Sequence, residues 1–295
     1  MSSHKAGFVT IIGKPNVGKS TLMNALVGER LSIITSKAQT TRHRIVGILS
    51  GEDFQVIYSD TPGVLEPQYE LHERMMKFVK SSLEDADLVL FITDLYEKYD
   101  EGEELVKLMN RINTPILFLL NKVDQAKGSQ AEDKLSYLKE LFNVEEHLMI
   151  SALEGEGIDE LLQIIKEKLP EHPAYFSKDE LTDKPEKFFA SEIIREKIFL
   201  NYKKEVPYST EVEISEFKES GEIIRIRAEL FVERDSQKGI IIGKGGEALK
   251  KVGIEAREDL EKFFQKKVYL ETFVKVEKDW RRKEKSLKKF GYKDK

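Results

Sequence analysis

The pattern of hydrophobic and polar positions changes character near residue 170 of the 295-residue chain. Before that point, short and mostly continuous apolar runs alternate with segments of helical periodicity. This alternation predicts an α/β fold, in which a largely parallel sheet is buried between helices on both faces. The predicted strands are 8–12, 44–49, 54–59, 88–93, 115–120 and 147–150, and the predicted helices are 19–27, 70–83, 101–111, 130–142 and 158–168.

The pattern that follows the break is that of an α+β domain. Prolines interrupt the segment 169–185, where the last helical period of the first part ends. A long amphipathic helix over 187–204, two alternating strands and a glycine-rich turn come next, followed by a helix over 246–264 and a strand over 267–276. We therefore predict a first domain over 1–172, a linker over 173–185, and a second domain with a basic C-terminal tail over 186–295.

Composition and charge exclude several classes of protein and indicate the kind of partner. No apolar stretch approaches the roughly 20 residues that a membrane span needs, and we expect no signal peptide. The chain has no cysteine, which excludes disulfides and thiol catalysis and fits a cytosolic location. Residues 181–295 hold 28 Lys and Arg against 23 Asp and Glu, whereas the whole chain has a net charge of −5. The more basic second part favours an anionic partner, nucleic acid or membrane surface.

The stretch GKPNVGKST has the spacing of a phosphate-binding loop, and it lies between a predicted strand and a predicted helix. Its glycines let backbone N–H groups turn toward phosphates, and the helix N-terminus adds a positive dipole. Lys19 is expected to reach the terminal phosphates, and the Ser20 hydroxyl to bind Mg²⁺. The predicted nucleotide-binding residues of this loop are Gly13, Asn16, Val17, Gly18, Lys19, Ser20 and Thr21.

Two further motifs at strand ends indicate that the base is guanine. In Asn121-Lys122-Val123-Asp124, the Asp124 carboxylate can accept two hydrogen bonds from guanine, whereas adenine would leave it unpaired. Lys122 is expected to cover the base, and Asn121 to join this loop to the phosphate loop. A backbone N–H of Ser151-Ala152-Leu153 is expected to meet the guanine oxygen.

The motif Asp60-Thr61-Pro62-Gly63 completes a set whose order resembles that of the translation-factor class of GTPases. Asp60 is expected to hold Mg²⁺ through water, and the Gly63 N–H to contact the γ-phosphate. In such GTPases a threonine of the polar segment 29–44 also binds Mg²⁺; we favour Thr41, with its neighbour Thr40 as the alternative. Arg42 and His43 could be catalytic, but we favour the interpretation that they are exposed residues of that segment. The predicted metal ligands are Ser20, Thr41 and Asp60, and the predicted catalytic residues are Lys19, Thr41 and Gly63.

Hydrolysis departs from the common pattern at one position. Val64 follows the DTPG motif, where many GTPases place a glutamine that orients the attacking water. In related GTPases an asparagine at the position of Asn16 can seat a potassium ion that supplies positive charge. We therefore hypothesise slow hydrolysis that K⁺ accelerates over Na⁺; the alternative is that Asn16 only braces the loop.

The second domain carries a candidate RNA-binding loop. The GxxG of IIIGKGG lies between a short apolar segment and an amphipathic helix, in the element order of a type II KH domain, whose loop clamps single-stranded RNA. The alternative is a tight turn between helices. Aromatic and basic residues alternate in the tail, which favours stacking on bases and phosphate contact, unless Trp280 packs a solvated terminal helix. The predicted RNA-binding residues are Ile242, Gly243, Lys244, Gly245, Gly246, Lys250, Trp280, Arg281 and Arg282.

The combination of KPNVGKST, KAQTTRHR, DTPG, NKVD, SAL and IIIGKGG resembles the bacterial Era family of GTPases. ASEIIREKIF, VGIEAR and VKVEKDWRR extend the resemblance to nearly the whole chain, and Gln39 stands where many relatives carry glycine. The resemblance implies binding of GTP and GDP with Mg²⁺, binding of the 3′ end of small-subunit ribosomal RNA through the KH domain, and assistance in maturation of the small ribosomal subunit. It also implies association with the inner face of the membrane.

Two alternatives remain beside this reading. One is an RNA-binding assembly factor with an idle nucleotide site, and the other is a membrane-associated signalling GTPase whose basic tail binds anionic lipid. A nucleotide kinase is disfavoured because NKVD selects guanine and no second substrate-binding lid is evident. We expect a cytoplasmic monomer, with peripheral association at the inner membrane as a further expectation.

Overall fold

The computed structural model describes residues 4–142 and 146–293, and the chain divides into two compact units. The first unit comprises Met1–Ser32, Thr41–Glu66 and Met75–Asp183, and the second comprises Ile33–Thr40, Pro67–Arg74 and Lys184–Lys295. Two short segments of the N-terminal half therefore group with the C-terminal part of the chain. Most of the predicted linker, 173–183, groups with the first unit.

The first unit is built on a six-stranded sheet in the order β2-β3-β1-β4-β5-β6. Only the β2–β3 pair is antiparallel among the paired strands described, which confirms the prediction of a mostly parallel sheet. The strands are β1 (Lys5–Ile12), β2 (Ile45–Ser50), β3 (Phe54–Asp60), β4 (Leu88–Asp94), β5 (Ile116–Asn121) and β6 (Glu146–Met149). The helices are α1 (Lys19–Val27), α2 (Glu70–Glu84), α3 (Glu104–Met109), α4 (Gln130–Leu141) and α5 (Ile158–Lys168).

The strand order brings the sequence motifs to one edge of this sheet. The phosphate loop follows β1, the DTPG motif begins at the end of β3, and the NKVD motif begins at the end of β5. Since β1, β3, β4 and β5 are parallel, their carboxyl ends lie at the same edge. Ligands of open α/β sheets bind at that edge.

The segment after α5 covers part of the first unit's surface. The Gln55 side chain donates to the Phe176 carbonyl at 2.9 Å and accepts the Tyr175 N–H at 2.7 Å. The N–H of Ile48, on the edge strand β2, donates to the Leu181 carbonyl at 2.8 Å. These bonds give backbone groups of an exposed sheet edge a partner, which explains why this proline-interrupted segment packs instead of extending into solvent.

The second unit contains a three-stranded sheet in the order β7-β8-β9, antiparallel between β7 and β8 and parallel between β8 and β9. One sheet face, which includes Ile226, Ala228 and Leu230, is buried in the same core cluster as Val252 and Leu260 of the following helix, as the periodicity predicts. Its elements are α6 (Glu186–Asn201), α7 (Val206–Ser209), β7 (Glu211–Ser220), β8 (Ile223–Val232), α8 (Asp235–Ile242), α9 (Glu247–Phe264), β9 (Lys267–Val276) and α10 (Glu284–Lys289).

Within the described residues, the structure contains no helix that is both long and apolar enough to cross a membrane.

Candidate functional site

The backbone of the phosphate loop adopts a conformation that requires glycine at Gly18. Gly18 has a φ of 108°, and a β-carbon at this position would lie 2.2 Å from the Asn121 amide nitrogen. Lys19 begins α1 and is buried, and its ammonium donates to the Lys14 carbonyl at 2.8 Å. Burial lowers the pKa of Lys19 to about 8, although the Asp60 carboxylate favours the charged form. A buried cation held by one carbonyl is a ready partner for an incoming phosphate.

Three oxygen-bearing side chains converge next to this lysine. The Ser20 Oγ lies 2.9 Å from the Thr41 Oγ1 and donates to the Asp60 Oδ2 at 2.7 Å, while the Thr41 Oγ1 lies 3.4 Å from that same carboxylate oxygen. Thr40 is turned away, since its hydroxyl donates to the Lys37 carbonyl at 2.7 Å. The geometry therefore favours Thr41 over Thr40 as the metal ligand.

This cluster fits a magnesium ion. Asp60 is fully buried, and its Oδ1 has no hydrogen-bond donor among the residues that the structure describes. Burial raises the pKa of Asp60, while the Ser20 hydroxyl and the Lys19 charge act in the opposite direction. A divalent cation would satisfy the vacant carboxylate oxygen, and hydroxyl and carboxylate oxygens are ligands that Mg²⁺ prefers.

Asn121 joins three of the predicted loops. Its amide nitrogen donates to the Val17 carbonyl of the phosphate loop at 2.8 Å, and its amide oxygen accepts the Ala152 N–H at 2.9 Å. Because the Ser151 N–H is also engaged, with the Glu156 carbonyl, Leu153 is the remaining candidate of the three for a backbone bond to guanine. The Leu153 side chain itself is 73% exposed.

The candidate guanine-binding carboxylate is held at the surface. Asp124 is exposed, and its Oδ1 accepts the Ser151 hydroxyl at 2.6 Å. Lys122 has a φ of 64°, and its ammonium bonds to the Asn16 carbonyl at 2.8 Å and to the Asp94 Oδ2 at 2.6 Å. These bonds fix the lysine stem beside the phosphate loop, while the outer side of Asp124 faces solvent.

Asp94 is a site residue that our sequence reasoning missed. It ends β4, is buried, and its other oxygen accepts the N–H groups of Tyr96 and Glu97 at 2.9 Å. Its position at the end of a central parallel strand was the signal that could have found it. A second correction concerns Arg42, which we expected to be exposed and which is fully buried.

Gly63 and Val64 lie against the phosphate loop. The Val64 N–H donates to the Gly13 carbonyl at 3.1 Å, and the Val64 side chain is partly buried against an apolar cluster. A β-carbon on Gly63 would come within 2.8 Å of the Pro15 backbone. Val64 therefore offers no polar group to a water, which agrees with the expectation that another group must position it.

The GxxG loop is the whole connection between α8 and α9, and it is accessible. Gly243, Gly245 and Gly246 all have positive φ values, of 72°, 62° and 82°. Lys244 and Lys250 are exposed, whereas Ile242 is partly buried in the core of the unit. The N–H groups of Gly243 and Gly246 donate to the carbonyls of Gly239 and Gly243, so the loop is held in shape while its two lysines stay exposed.

The predicted role of Trp280 in stacking on bases is wrong for this arrangement. Its ring is fully buried, packs at 5.4 Å from the Phe290 ring, and donates its indole N–H to the Ser209 carbonyl at 2.8 Å. Arg281 is paired with Glu233 at 2.5 Å, which leaves Arg282 as the exposed basic residue of the predicted trio. The indole is buried because removing so large an apolar surface from water lowers the free energy of the folded chain.

The fold and the site together define the class of protein: a P-loop GTPase domain followed by a KH domain. A family model described as a 50S ribosome-binding GTPase matches residues 8–122, and a KH domain model matches residues 205–281. The chain is 42% identical over 294 residues to the GTPase Era of Staphylococcus haemolyticus, covering 99% of this chain and 98% of that protein. The chain belongs to the Era family of GTPases, and GTP hydrolysis is the family's activity.

Solved structures agree with this assignment over nearly the whole length. A crystal structure of Era in complex with MgGDPNP and nucleotides 1506–1542 of 16S ribosomal RNA is 40% identical, with a TM-score of 0.92, and covers 98% of this chain and 99% of its own. A variant of Aquifex aeolicus Era bound to GDP and AlF4⁻ gives the same identity, TM-score and coverage.

Proposed function

We propose that this protein is a GTP-hydrolysing switch that binds small-subunit ribosomal RNA near its 3′ end and assists assembly of the small ribosomal subunit. The observation that carries the proposal is the presence, on one chain, of a complete set of guanine-nucleotide motifs and an exposed GxxG loop. The full-length similarity to an Era protein crystallised with a GTP analogue and 16S ribosomal RNA supports it.

GTP, GDP and Mg²⁺ are the cofactors that these residues fit. Bound Mg²⁺ would neutralise charge on the phosphates, with Ser20, Thr41 and Asp60 as its protein partners. Lys19 would hold the terminal phosphates, and Asp124 would select guanine through paired hydrogen bonds. Potassium at Asn16 stays a hypothesis, which the exposed position of Asn16 in the phosphate loop permits.

RNA would bind through its backbone first. A β-carbon at Gly245 or Gly246 would meet no atom within 4 Å, so phosphates can approach the backbone there, and Lys244 and Lys250 supply charge. Such contacts release counterions, so the affinity should fall steeply with salt. We propose further that the protein is a cytoplasmic monomer and that its contact with the inner membrane face is peripheral.

The test is the affinity for a single-stranded RNA with the sequence of the small-subunit 3′ tail, measured at fixed salt with a GTP analogue, with GDP and without nucleotide. We expect tighter binding with the analogue, and loss of binding in the double variant Lys244→Ala/Gly245→Asp, which removes a cation from the GxxG loop and adds a carboxylate to it. The change Lys187→Ala, at an exposed lysine of α6, is the matched control.

Equal affinity in all three nucleotide states would remove the switch and leave an RNA-binding GTPase. If the RNA did not bind at all, the KH interpretation would be wrong. Flotation with anionic liposomes would then test the membrane alternative directly.

A further inference from the structure

The second unit holds the segment Ile33–Thr40, which ends next to the proposed magnesium ligand Thr41. The Arg195 guanidinium of α6 donates to the Thr40 carbonyl. Arg195 is almost fully buried, and its Nε is fixed by the Glu192 carboxylate at 2.8 Å. The next residue of the helix, Glu196, accepts the Ile34 N–H at 3.2 Å. Both ends of the segment are therefore held by neighbouring residues of one helix.

Lys37, in the middle of the segment, contacts the end of the same helix. Its ammonium donates to the carbonyl of Phe199 and, at 2.5 Å, to the carbonyl of Tyr202. Carbonyls in the last turn of a helix have no partner within the helix and carry the negative end of its dipole. A lysine is well suited to this position, so the segment and α6 stabilise each other.

The end of α6 also contacts the helix that precedes the GxxG loop. The Tyr202 hydroxyl donates to the Ile241 carbonyl at 2.6 Å, and Ile241 is the penultimate residue of α8. Both groups are buried. The end of α6 therefore contacts two parts of the chain. Lys37 joins it to the segment that ends beside the proposed magnesium ligand, and Tyr202 joins it to α8, the helix that precedes the GxxG loop.

We propose that α6 couples the nucleotide site to the RNA-binding loop, with Arg195 as a positioning residue for Thr41 and Tyr202 as the contact to α8. This proposal rests on the switch function proposed above. In the arrangement observed, Thr41 lies at the magnesium cluster while the Thr40 carbonyl is held by Arg195. Binding of Thr41 to Mg²⁺ in the triphosphate state and docking of Ile33–Thr40 on α6 should therefore stabilise each other. Since coupling of this kind is reciprocal, RNA that holds α8 in place should also tighten GTP binding.

The first experiment compares the Kd for a GTP analogue with the Kd for GDP, both with Mg²⁺, in the wild-type chain and in Arg195→Lys. Lysine keeps a positive charge beside Glu192 but cannot hold both the carboxylate and the Thr40 carbonyl in the way that the planar guanidinium does. We expect the Kd for the analogue to rise about tenfold, which corresponds to about 1.4 kcal/mol. The Kd for GDP should stay the same, because in GTPases of this class the threonine that binds Mg²⁺ is held there by the γ-phosphate and is released after hydrolysis. Equal weakening for both nucleotides would indicate a merely structural role and overturn the positioning claim.

The second experiment uses the variants Tyr202→Phe and Lys37→Met, with Lys187→Met, at an exposed lysine of the same helix, as the matched control. Tyr202→Phe removes one hydroxyl and keeps the ring, so the unit should fold. We expect both test variants to bind the 3′-tail RNA with nearly equal affinity in the GTP-analogue and GDP states, while the control keeps the wild-type preference. Retention of the full preference in both test variants would overturn the coupling through α6.

The wild-type chain separates failure of this proposal from failure of the proposed function. If wild-type RNA affinity depends on the nucleotide and the variants keep that dependence, α6 is not the coupling element. If the RNA affinity of the wild-type chain itself does not depend on the nucleotide, both the proposed switch function and the proposed coupling are refuted.

Discussion

Adding a single methyl group at Gly63 should slow GTP hydrolysis while leaving the affinity for GDP nearly unchanged. It is buried, and a β-carbon there would lie 2.8 Å from both the backbone nitrogen and the Cα of Pro15 in the phosphate loop. At this distance the change Gly63→Ala must move the two loops apart, and a shift of 0.6 Å would restore an ordinary van der Waals contact of 3.4 Å. Neither atom can yield by rotating a side chain, since both belong to the backbone.

The displacement acts on a part of the site that we expect to contact only the γ-phosphate. The Gly63 N–H is expected to meet that phosphate, and the bond from the Val64 N–H to the Gly13 carbonyl lies beside it. A misplacement of about 1 Å in a catalytic site can cost about 100-fold in rate. We expect kcat for GTP hydrolysis to fall roughly 10- to 100-fold in proportion to that shift. The Kd for GDP, which has no γ-phosphate, should change little.

The assay is steady-state phosphate release with saturating Mg²⁺ and GTP, together with the GDP affinity of the same preparation. Gly102→Ala is the matched control, because a β-carbon on Gly102 would meet no atom within 4 Å. A wild-type rate in Gly63→Ala would refute the role given to Gly63. A loss of GDP affinity equal to the loss of rate would show instead that the phosphate loop as a whole had been disrupted.

Three further predictions concern other parts of the chain. Asn121→Ala removes two hydrogen bonds of about 1 kcal/mol each, so we expect Kd values for GTP and GDP, measured by calorimetry, to rise together by at least tenfold. Trp280→Ala should lower the free energy of unfolding by about 3–5 kcal/mol, while Trp280→Phe should leave RNA affinity unchanged below the unfolding transition; a selective loss of RNA affinity would restore its predicted role in stacking. GTP turnover should be faster in K⁺ than in Na⁺, and Asn16→Ala should abolish the difference; equal wild-type rates in the two salts would remove the potassium hypothesis.

Local sequence was sufficient wherever a structural feature depends on neighbours in the chain. The helix 19–27 and the strand 267–276 have the predicted bounds, because their apolar periodicity and the glycines before α1 act over a few residues. The loops after β1, β3 and β5 could be predicted as one site, because motifs at the ends of parallel strands must meet at one edge. The GxxG loop followed in the same way from the order of the elements around it.

Other features depend on residues far apart in the sequence, and the pattern could not reveal them. Trp280 lies 71 residues from the Ser209 carbonyl that accepts its indole N–H, so the basic residues that follow it in the sequence suggested an exposed ring. Arg195 lies 155 residues from Thr40 and reads in sequence as one more charged position of an amphipathic helix.

The sequence by itself determined the class of fold, the guanine nucleotide and the position of the GxxG loop in a KH domain, because each is encoded by a short motif or a local period. Only the tertiary structure favoured Thr41 over Thr40 as the proposed metal ligand, showed that Trp280 is buried, and grouped Ile33–Thr40 with α6. The physical reason is that the burial of a side chain and the partner of a buried charge depend on which distant surfaces pack together, and packing is a property of the whole chain.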